Sequence, residues 1–419
     1  MESKSSTGTV GVLAPAGSTA RQRILLTVAT LVLLSLASEP SVGRADNETG
    51  RIRVLYIGDH GATSPSPFLN AEPMIQLRIA HAIFHLKGDA RKKLNRVYFP
   101  RTYAELTDYD VSIVSDCPVD QFDNQHYFWF KDAVTSDGCG FVMIGGNCGF
   151  GGGPELPWTP TAVQDILPVG CLEAEKSIGR VEIIQPEHEF IASLPLERRW
   201  EWMREYGINK VTPRQQADTL AEVISSATGE PIPFWATWDV EEGRSFAVTG
   251  DWTPMGGVVF MRWGYYGDFA ANLMMYASQN PLPADLEPLH RARARYLDYL
   301  STRQYLFSVI EFAERFGANL NRVGEIMVEA DVGYVESTKT YIDHDYEDAL
   351  LMLEEAVGKL LEASDLAMDL KDQAMFWIYV AEWSIVTATF SLGTFVVWTL
   401  MVRKKLYHEV TQTRFTQGG

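Results

Sequence analysis

Cysteine is scarce. Four stand in 419 residues, at Cys117, Cys139, Cys148 and Cys171, and no two form a Cys-x-x-Cys pair. That spacing excludes a zinc ribbon and a thioredoxin-type redox site. An even count permits disulfides in an exported chain, but nothing in the spacing demands them. Positive charge is also in deficit, with 36 Lys and Arg against 54 Asp and Glu and a net charge of -18. A nucleic-acid binder needs a basic stripe, so no nucleic-acid partner is expected. The balance suits a soluble domain outside the membrane, or a partner with a basic surface. Histidine is thinly spread: the chain has 8, and none lies between His188 and His290. What is plentiful is apolar side chain. A hydrophobic content of 46% with 11% aromatics excludes global disorder. The length implies two or three folded units.

Two apolar runs set the expected topology. Arg21 and Arg23 precede residues 24–37, which are apolar apart from Thr27, Thr30 and Ser35. A basic start, a short apolar core and small residues after it read as a secretory signal peptide, cleaved near Ala37 or Ala45. The expected leader and linker cover residues 1–45. Asn47-Glu48-Thr49 is a glycosylation sequon that only eukaryotic-type export would use. The second run, residues 383–402, carries no charge and is long enough to span a bilayer. Trp377, Tyr379 and Trp383 stand at one end and Trp398 near the other, as in an interfacial aromatic belt. Arg403, Lys404 and Lys405 follow at once. The positive-inside rule then makes residues 403–419 a cytoplasmic tail of a single-pass membrane protein.

One stretch between these runs carries the sharpest signal. Phe141, Val142, Met143 and Ile144 form a short apolar run, read as a strand buried on both faces. Gly145, Gly146, Asn147, Cys148, Gly149, Phe150, Gly151, Gly152 and Gly153 follow. The glycines permit a sharp turn, and the turn would lift Cys148 at the end of a sheet. Nucleophiles sit on such strand–turn elbows, and open α/β sheets bind ligands at the same edge.

The segments around it alternate. Residues 51–59 read as a first strand ending in Gly58-Asp59, 74–86 as a helix, 96–99 as a second strand and 109–116 as a third. Residues 122–134 read as the next helix. Strand–helix alternation at this spacing implies a parallel sheet covered by helices.

Several of these stretches resemble a known family. Asp108-Tyr109-Asp110-Val111, Val114-Ser115-Asp116 and Phe141-Val142-Met143-Ile144-Gly145-Gly146 are similar to the class I glutamine amidotransferase-like superfamily. Within it, the likeness is to the "putative glutamine amidotransferase" and ThuA-like domains. Phe150-Gly151-Gly152-Gly153, Trp158-Thr159-Pro160-Thr161 and Asp165-Ile166-Leu167-Pro168-Val169 follow the elbow as in those domains. Glu187-His188-Glu189-Phe190 through Leu194-Pro195 resembles their His-Pro loop, with Glu189 in place of proline. Residues 243–251 and 263–272 resemble their closing strand and helix. The likeness spans residues 51–283 and implies a flavodoxin-like α/β fold.

In active amidotransferases a Gly-x-Cys-x-Gly elbow supplies a thiolate and a later His-x-Glu activates it. A thiol of ordinary pKa near 8.5 needs such a base. Gly146-Asn147-Cys148-Gly149 matches the first half, but Phe150 stands where the final glycine belongs, and no His-x-Glu follows. His60, after the first strand, and His188 are the two candidate bases. Cys148 is then either a nucleophile paired with one of them or a small residue filling a turn. Asp59, Asp116 and Asp251 each end an expected strand. With Gly146, Asn147 and Gly149 they either ring a ligand pocket or merely cap loops. Trp252, Trp263, Tyr265 and Tyr266 either stack on a sugar or fill the core. No metal site or cofactor is expected.

Past Pro281-Leu282-Pro283 the composition turns acidic. Residues 284–375 carry 19 Asp and Glu against 9 Lys and Arg and no cysteine. Leu297, Leu300, Phe307 and Ile310 share one helical face. Leu350, Leu353, Val357 and Leu360 follow a 3-4-3 spacing, the seam of a coiled coil or helical hairpin. Breaks are expected at Gly317, at Gly333 and over residues 336–339, with the last helix starting near Asp345. The acidic run of residues 343–348 reads as a helix start, favoured by the helix dipole. Two or three antiparallel helices would form a stalk that pairs with a second copy or with partner helices.

The expectation is thus a membrane-anchored, extracytoplasmic α/β domain on a helical stalk. It lacks amidotransferase activity and serves ligand binding or assembly. The alternative is a cysteine-dependent amidase or hydrolase using Cys148 with His60 or His188.

Overall fold

The computed structural model describes residues 50–58, 60–61, 63–81, 89–151, 157–196, 199–253 and 259–416. The signal-peptide segment, Asp59, Gly152 and Gly153 lie outside the described residues. In chain order, β1 (Ile52–Gly58) is followed by α1 (Ser66–Ala71), β2 (Ile75–His81), α2 (Asp89–Tyr98) and α3 (Tyr103–Thr107). Then come β3 (Val111–Ser115), α4 (Asn124–Thr135) and β4 (Gly140–Ile144). The chain continues through β5 (Val169–Ile183), α5 (Glu189–Ala192), β6 (Arg199–Pro213), β7 (Asp218–Ser225), β8 (Pro231–Val240) and β9 (Gly243–Val248). Four helices close it: α6 (Tyr266–Ala277), α7 (Leu286–Arg315), α8 (Asn321–Ile342) and α9 (Tyr346–Thr416).

The strands form one sheet in the order β2-β1-β3-β4-β9-β8-β7-β5-β6. The sheet is mixed, which corrects the expectation of a parallel one. From β2 to β9 the neighbours are parallel, but β8, β7, β5 and β6 join antiparallel. The connections explain the change. Parallel strands need a long crossover, whereas antiparallel ones close through tight turns. Val240 pairs with Gly243, leaving only Glu241 and Glu242 in the turn, with Glu241 at φ 52°.

Two sequence assignments exchange places. Residues 74–86 were expected to be helical, yet β2 runs through Ile75–His81. Ile75 is buried while Gln76 and Arg78 are exposed, an alternation of period two that suits an edge strand. Residues 96–99 were expected as a strand, but Arg96 to Tyr98 are the last turn of α2.

The parallel half is covered on both faces. Phe141 of β4 packs on Phe130 of α4, with ring centroids 5.5 Å apart. Phe246 of β9 pairs with Val142, the next residue along, and packs on Phe190 and on Tyr276 of α6. Successive side chains point to opposite faces, so α4 and α6 lie on opposite sides of the sheet. The core between them includes Val54, Ile57, Ile113, Val142 and Ile144, each 0% exposed.

Helices α7, α8 and the first part of α9 pack as a bundle with its own core. Leu353 and Leu360 are 0% exposed in it, and Leu350 and Val357 are also buried. Leu297, Leu300 and Ile310 flank that core, whereas Phe307 stays exposed beneath the Arg303 guanidinium. The expected break at Gly317 is real, with φ at +76°. Gly333 and residues 336–339 instead lie within α8. Gly333 is there for packing: a Cβ would stand 3.4 Å from Ala356 Cβ of α9.

The bundle is bolted to the α/β domain by charge. Arg293 of α7 donates to Glu72 Oε2 at 2.5 Å, Asp268 Oδ1 at 3.0 Å and Asn272 Oδ1 at 2.9 Å. Tyr341 of α8 donates to the same Glu72 oxygen at 3.1 Å, and His290 lies 2.6 Å from Asp268 Oδ2.

Beyond the bundle α9 continues without a packing partner among the described residues. Its 71 residues extend about 105 Å at the α-helical rise. Phe376, Trp383 and Phe390 are 60%, 69% and 75% exposed. With a mean hydropathy of 1.8 over its most apolar stretch, the helix is long and apolar enough to cross a membrane.

Candidate functional site

The carboxyl edge of the parallel strands is where the elbow stands. Gly145 N donates to Val248 O at 2.7 Å, so the chain stays in register with β9 for one residue past β4. Gly146 then takes φ +144°. Asp116, at the end of β3 with φ 39°, turns its carboxylate under this loop and accepts from Cys148 N at 2.6 Å. Gly146 N donates to Asn209 Oδ1 at 3.0 Å, and Asn209 Nδ2 donates to Gly149 O at 3.2 Å. Asn209 itself is held by its backbone N–H on Thr249 O, 2.9 Å away. One buried amide thus braces both ends of the turn, and a charged acceptor fixes its middle.

This edge is filled with aromatic side chains. Trp158 Nε1 donates to Cys148 O at 3.0 Å, and Trp252 Nε1 donates to Ser115 Oγ at 2.8 Å. Tyr266 donates its hydroxyl to Trp252 O at 2.7 Å. Cys148, Phe150, Trp158 and Trp252 are each 0% exposed, and Tyr266 is also buried. Trp252 and Tyr266 are therefore core residues, while Tyr265 stacks on His290, centroids 4.2 Å apart. Phe150 holds a left-handed φ of 48° where glycine would be unstrained. Trp158 N donates to its carbonyl at 2.8 Å. The turn runs on as non-helical chain through Gly151.

The candidate residues are dispersed differently from a catalytic set. Asp116 is a loop brace, as described. Asp251 accepts from Thr253 N and Thr253 Oγ1, both at 2.8 Å, and so shapes its own turn. Asn147 is exposed at the tip of the elbow, whereas Gly146 and Gly149 are packed; a Cβ on Gly149 would come within 2.8 Å of Gly145 Cα. His60 follows β1 at the same sheet edge. Its ring meets His81 of β2 edge-on at 4.2 Å, and β3 stands between β1 and β4. Two strand spacings, about 10 Å, separate the β1 and β4 ends, and His60 packs on the far side.

His188 sits nearer the amino end of the strands. Its Nε2 is 3.3 Å from the Tyr276 hydroxyl, which is 3.2 Å from Thr237 Oγ1. Thr237 in turn donates to Ser245 O, and Ser245 lies beside Phe141, the second residue of β4. From Phe141 to Ile144 the strand rises about 10 Å, so the fold does not bring this imidazole to Cys148. His188 instead caps α5 by accepting from Phe190 N at 3.2 Å. Burial pushes its pKa down, Arg244 adds to this, and Glu189, Asp218 and Asp239 partly offset it. A histidine depressed in the folded state leaves the unfolded chain binding more protons. Its stabilising contribution is full above about pH 6.5 and is lost as the pH falls below it. His81 and His126 are lowered by burial in the same sense. The midpoint of thermal unfolding should therefore drop between pH 7.5 and 5. His188→Asn, which keeps an acceptor at the cap, should flatten that drop.

Asn209 escaped the sequence reading, and Trp158 and Ser115 entered it only as parts of the family-like stretches. The available signal was Asn209, a strand-disfavoured amide standing between Ile208 and Val211 in β6.

Comparison with known proteins adds the family. A family model described as "Putative glutamine amidotransferase" matches residues 90–278. These residues form a glutamine amidotransferase-like domain. No curated protein matches the chain. Among solved structures, a cytoplasmic protein of Salmonella typhimurium LT2 is 20% identical with a TM-score of 0.43, covering 54% of this chain and 99% of that one. A second cytoplasmic protein of Salmonella typhimurium gives 20%, 0.42, 54% and 99% in the same terms. A β-galactosidase of Bacillus circulans is 10% identical with a TM-score of 0.31, covering 55% of this chain and 32% of that one. The amidotransferase-like domain holds β3, β4 and β9 together with the elbow and its Asn209 brace. Its sheet is extended at one edge by β1 and β2, which precede the matched residues.

Proposed function

We propose that the chain is a membrane-anchored, extracytoplasmic amidotransferase-like module without amidotransferase activity, serving ligand binding or assembly. The observation that carries this reading is the closure of the elbow. Cys148 is 0% exposed, its backbone is tied to Asp116 and Trp158, and both candidate imidazoles are engaged elsewhere. A thiol nucleophile needs access for its substrate and a base or positive charge beside it. Anchoring is supported by the exposed apolar length of α9 and by Arg403, Lys404 and Lys405 just beyond it. Exposed Val328, Val332 and Val335 line up along α8, a surface suited to a second copy or to partner helices.

The full chain in lipid vesicles, supplied with glutamine, should release no more ammonia than empty vesicles. Cys148→Ser should behave identically. Ammonia release that Cys148→Ser abolishes would overturn the reading in favour of the cysteine hydrolase.

A further inference from the structure

Away from the elbow, a cavity of about 520 Å³ opens between the end of α2, the segment after β3 and the start of α4. Its volume is in the range of small-molecule sites. Arg96 and Arg101 line it. Both are exposed, and among the described residues neither guanidinium meets a carboxylate. Two arginines against the Asp123 carboxylate at one cavity stand out in a chain of net charge -18. They form the start of an anion site, since guanidinium groups match carboxylate and phosphate oxygens in fork geometry.

The remaining walls are more selective. Phe99 and Pro100 give an apolar floor. His126 accepts from Asp123 N at Nδ1, 3.1 Å away, so in its neutral form the proton is on Nε2. Burial lowers the pKa of that ring, and Asp123 partly offsets this. Asp123 also lines the cavity and is the one carboxylate among its described residues. Behind the arginines, Gln121 is 2% exposed. Its Nε2 donates to Asn95 Oδ1 at 2.8 Å, and Asn95 Nδ2 donates back to Gln121 O at 2.5 Å. That lock fixes the amide orientation and leaves Gln121 Oε1 with no hydrogen-bond partner. A buried acceptor without a donor is unfavourable, and a ligand N–H reaching it would remove the deficit.

We propose that this cavity binds a small anion carried on a planar ring bearing N–H groups, the chemistry of a nucleoside monophosphate. Arg96 and Arg101 take the phosphate, the Phe99–His126 wall takes the ring, and Gln121 Oε1 accepts from a ring N–H. The site is independent of Cys148, so its fate and that of the elbow are read separately.

Titration calorimetry of the full chain in detergent tests this with AMP, GMP, CMP and UMP. At least one should bind with a Kd of about 1 mM or tighter, and adenosine or ribose 5-phosphate should bind at least tenfold more weakly. Arg96→Gln with Arg101→Gln, both on the surface, should weaken the nucleotide at least tenfold. Arg315→Gln, an exposed arginine paired with Glu311 on the bundle, should leave binding unchanged. Unaltered binding in the double variant overturns the proposal. So does a failure of all four nucleotides to bind, or equal binding of ribose 5-phosphate.

Discussion

Replacing Arg293 by alanine should lower stability by about 3–5 kcal/mol and split thermal unfolding into two steps. The guanidinium is 9% exposed and lies between Glu72 and Asp268, which are 2% and 3% exposed. Burial opposes its charge, but the two carboxylates outweigh that, and its pKa is raised. Glu72 belongs to the segment between α1 and β2, Asp268 to α6 and Arg293 to α7. One side chain therefore joins the sheet layer to the bundle. Its removal takes the guanidinium from two buried carboxylates, leaving Glu72 with the Tyr341 hydroxyl and Asp268 with His290. A buried pair is weak evidence of net stabilisation, yet breaking one side of it is strongly unfavourable. Arg315→Ala, at an ion pair 69% and 70% exposed, should change stability by less than about 1 kcal/mol. Tryptophan fluorescence of the full chain in detergent reads both. A single unshifted transition in the Arg293 variant would mean that the bundle and the sheet are not joined there.

The second large effect is expected at the elbow. Gly146→Ala should destabilise the protein by about 3 kcal/mol or more. Gly146 holds φ +144°, and a Cβ there would lie 2.3 Å from Asp116 Cγ. The alanine is thus strained by its backbone and collides with the carboxylate that holds Cys148 N. Relief requires the loop to lift from Asp116, which also pulls Gly146 N from Asn209. The variant should therefore show a locally opened elbow before global unfolding, visible as faster hydrogen exchange at position 146 and Cys148 than at Val142.

The reach of the sequence follows the range of the forces involved. The strand through Phe141 to Ile144 was legible because four consecutive apolar residues suit a strand covered twice. The helix through residues 122–134 and the seam of Leu350, Leu353, Val357 and Leu360 were legible from period. Residues 74–99 were not. Ile75, Leu77 and Ile79 satisfy either period over so short a run, and β2 was decided by pairing with β1. The antiparallel half was hidden because its register depends on turns as short as Glu241-Glu242. At the elbow, the glycines announced a tight turn. The brace was out of reach: Asn209 and Gly146 are 63 residues apart, and Trp252 and Ser115 are 137 apart. Contacts of that span are fixed by the assembled sheet.

The central claim is that the elbow is closed and that Cys148 fills it as a packed residue. The direct measurement is alkylation of the native full chain at neutral pH by a small thiol reagent, with the modified sites located by mass spectrometry. Cys148 should remain unmodified until the protein unfolds, while in Gly146→Ala it should react under native conditions. Rapid native modification of Cys148 in the unaltered protein, with a pH midpoint below the ordinary thiol value of about 8.5, would contradict the account.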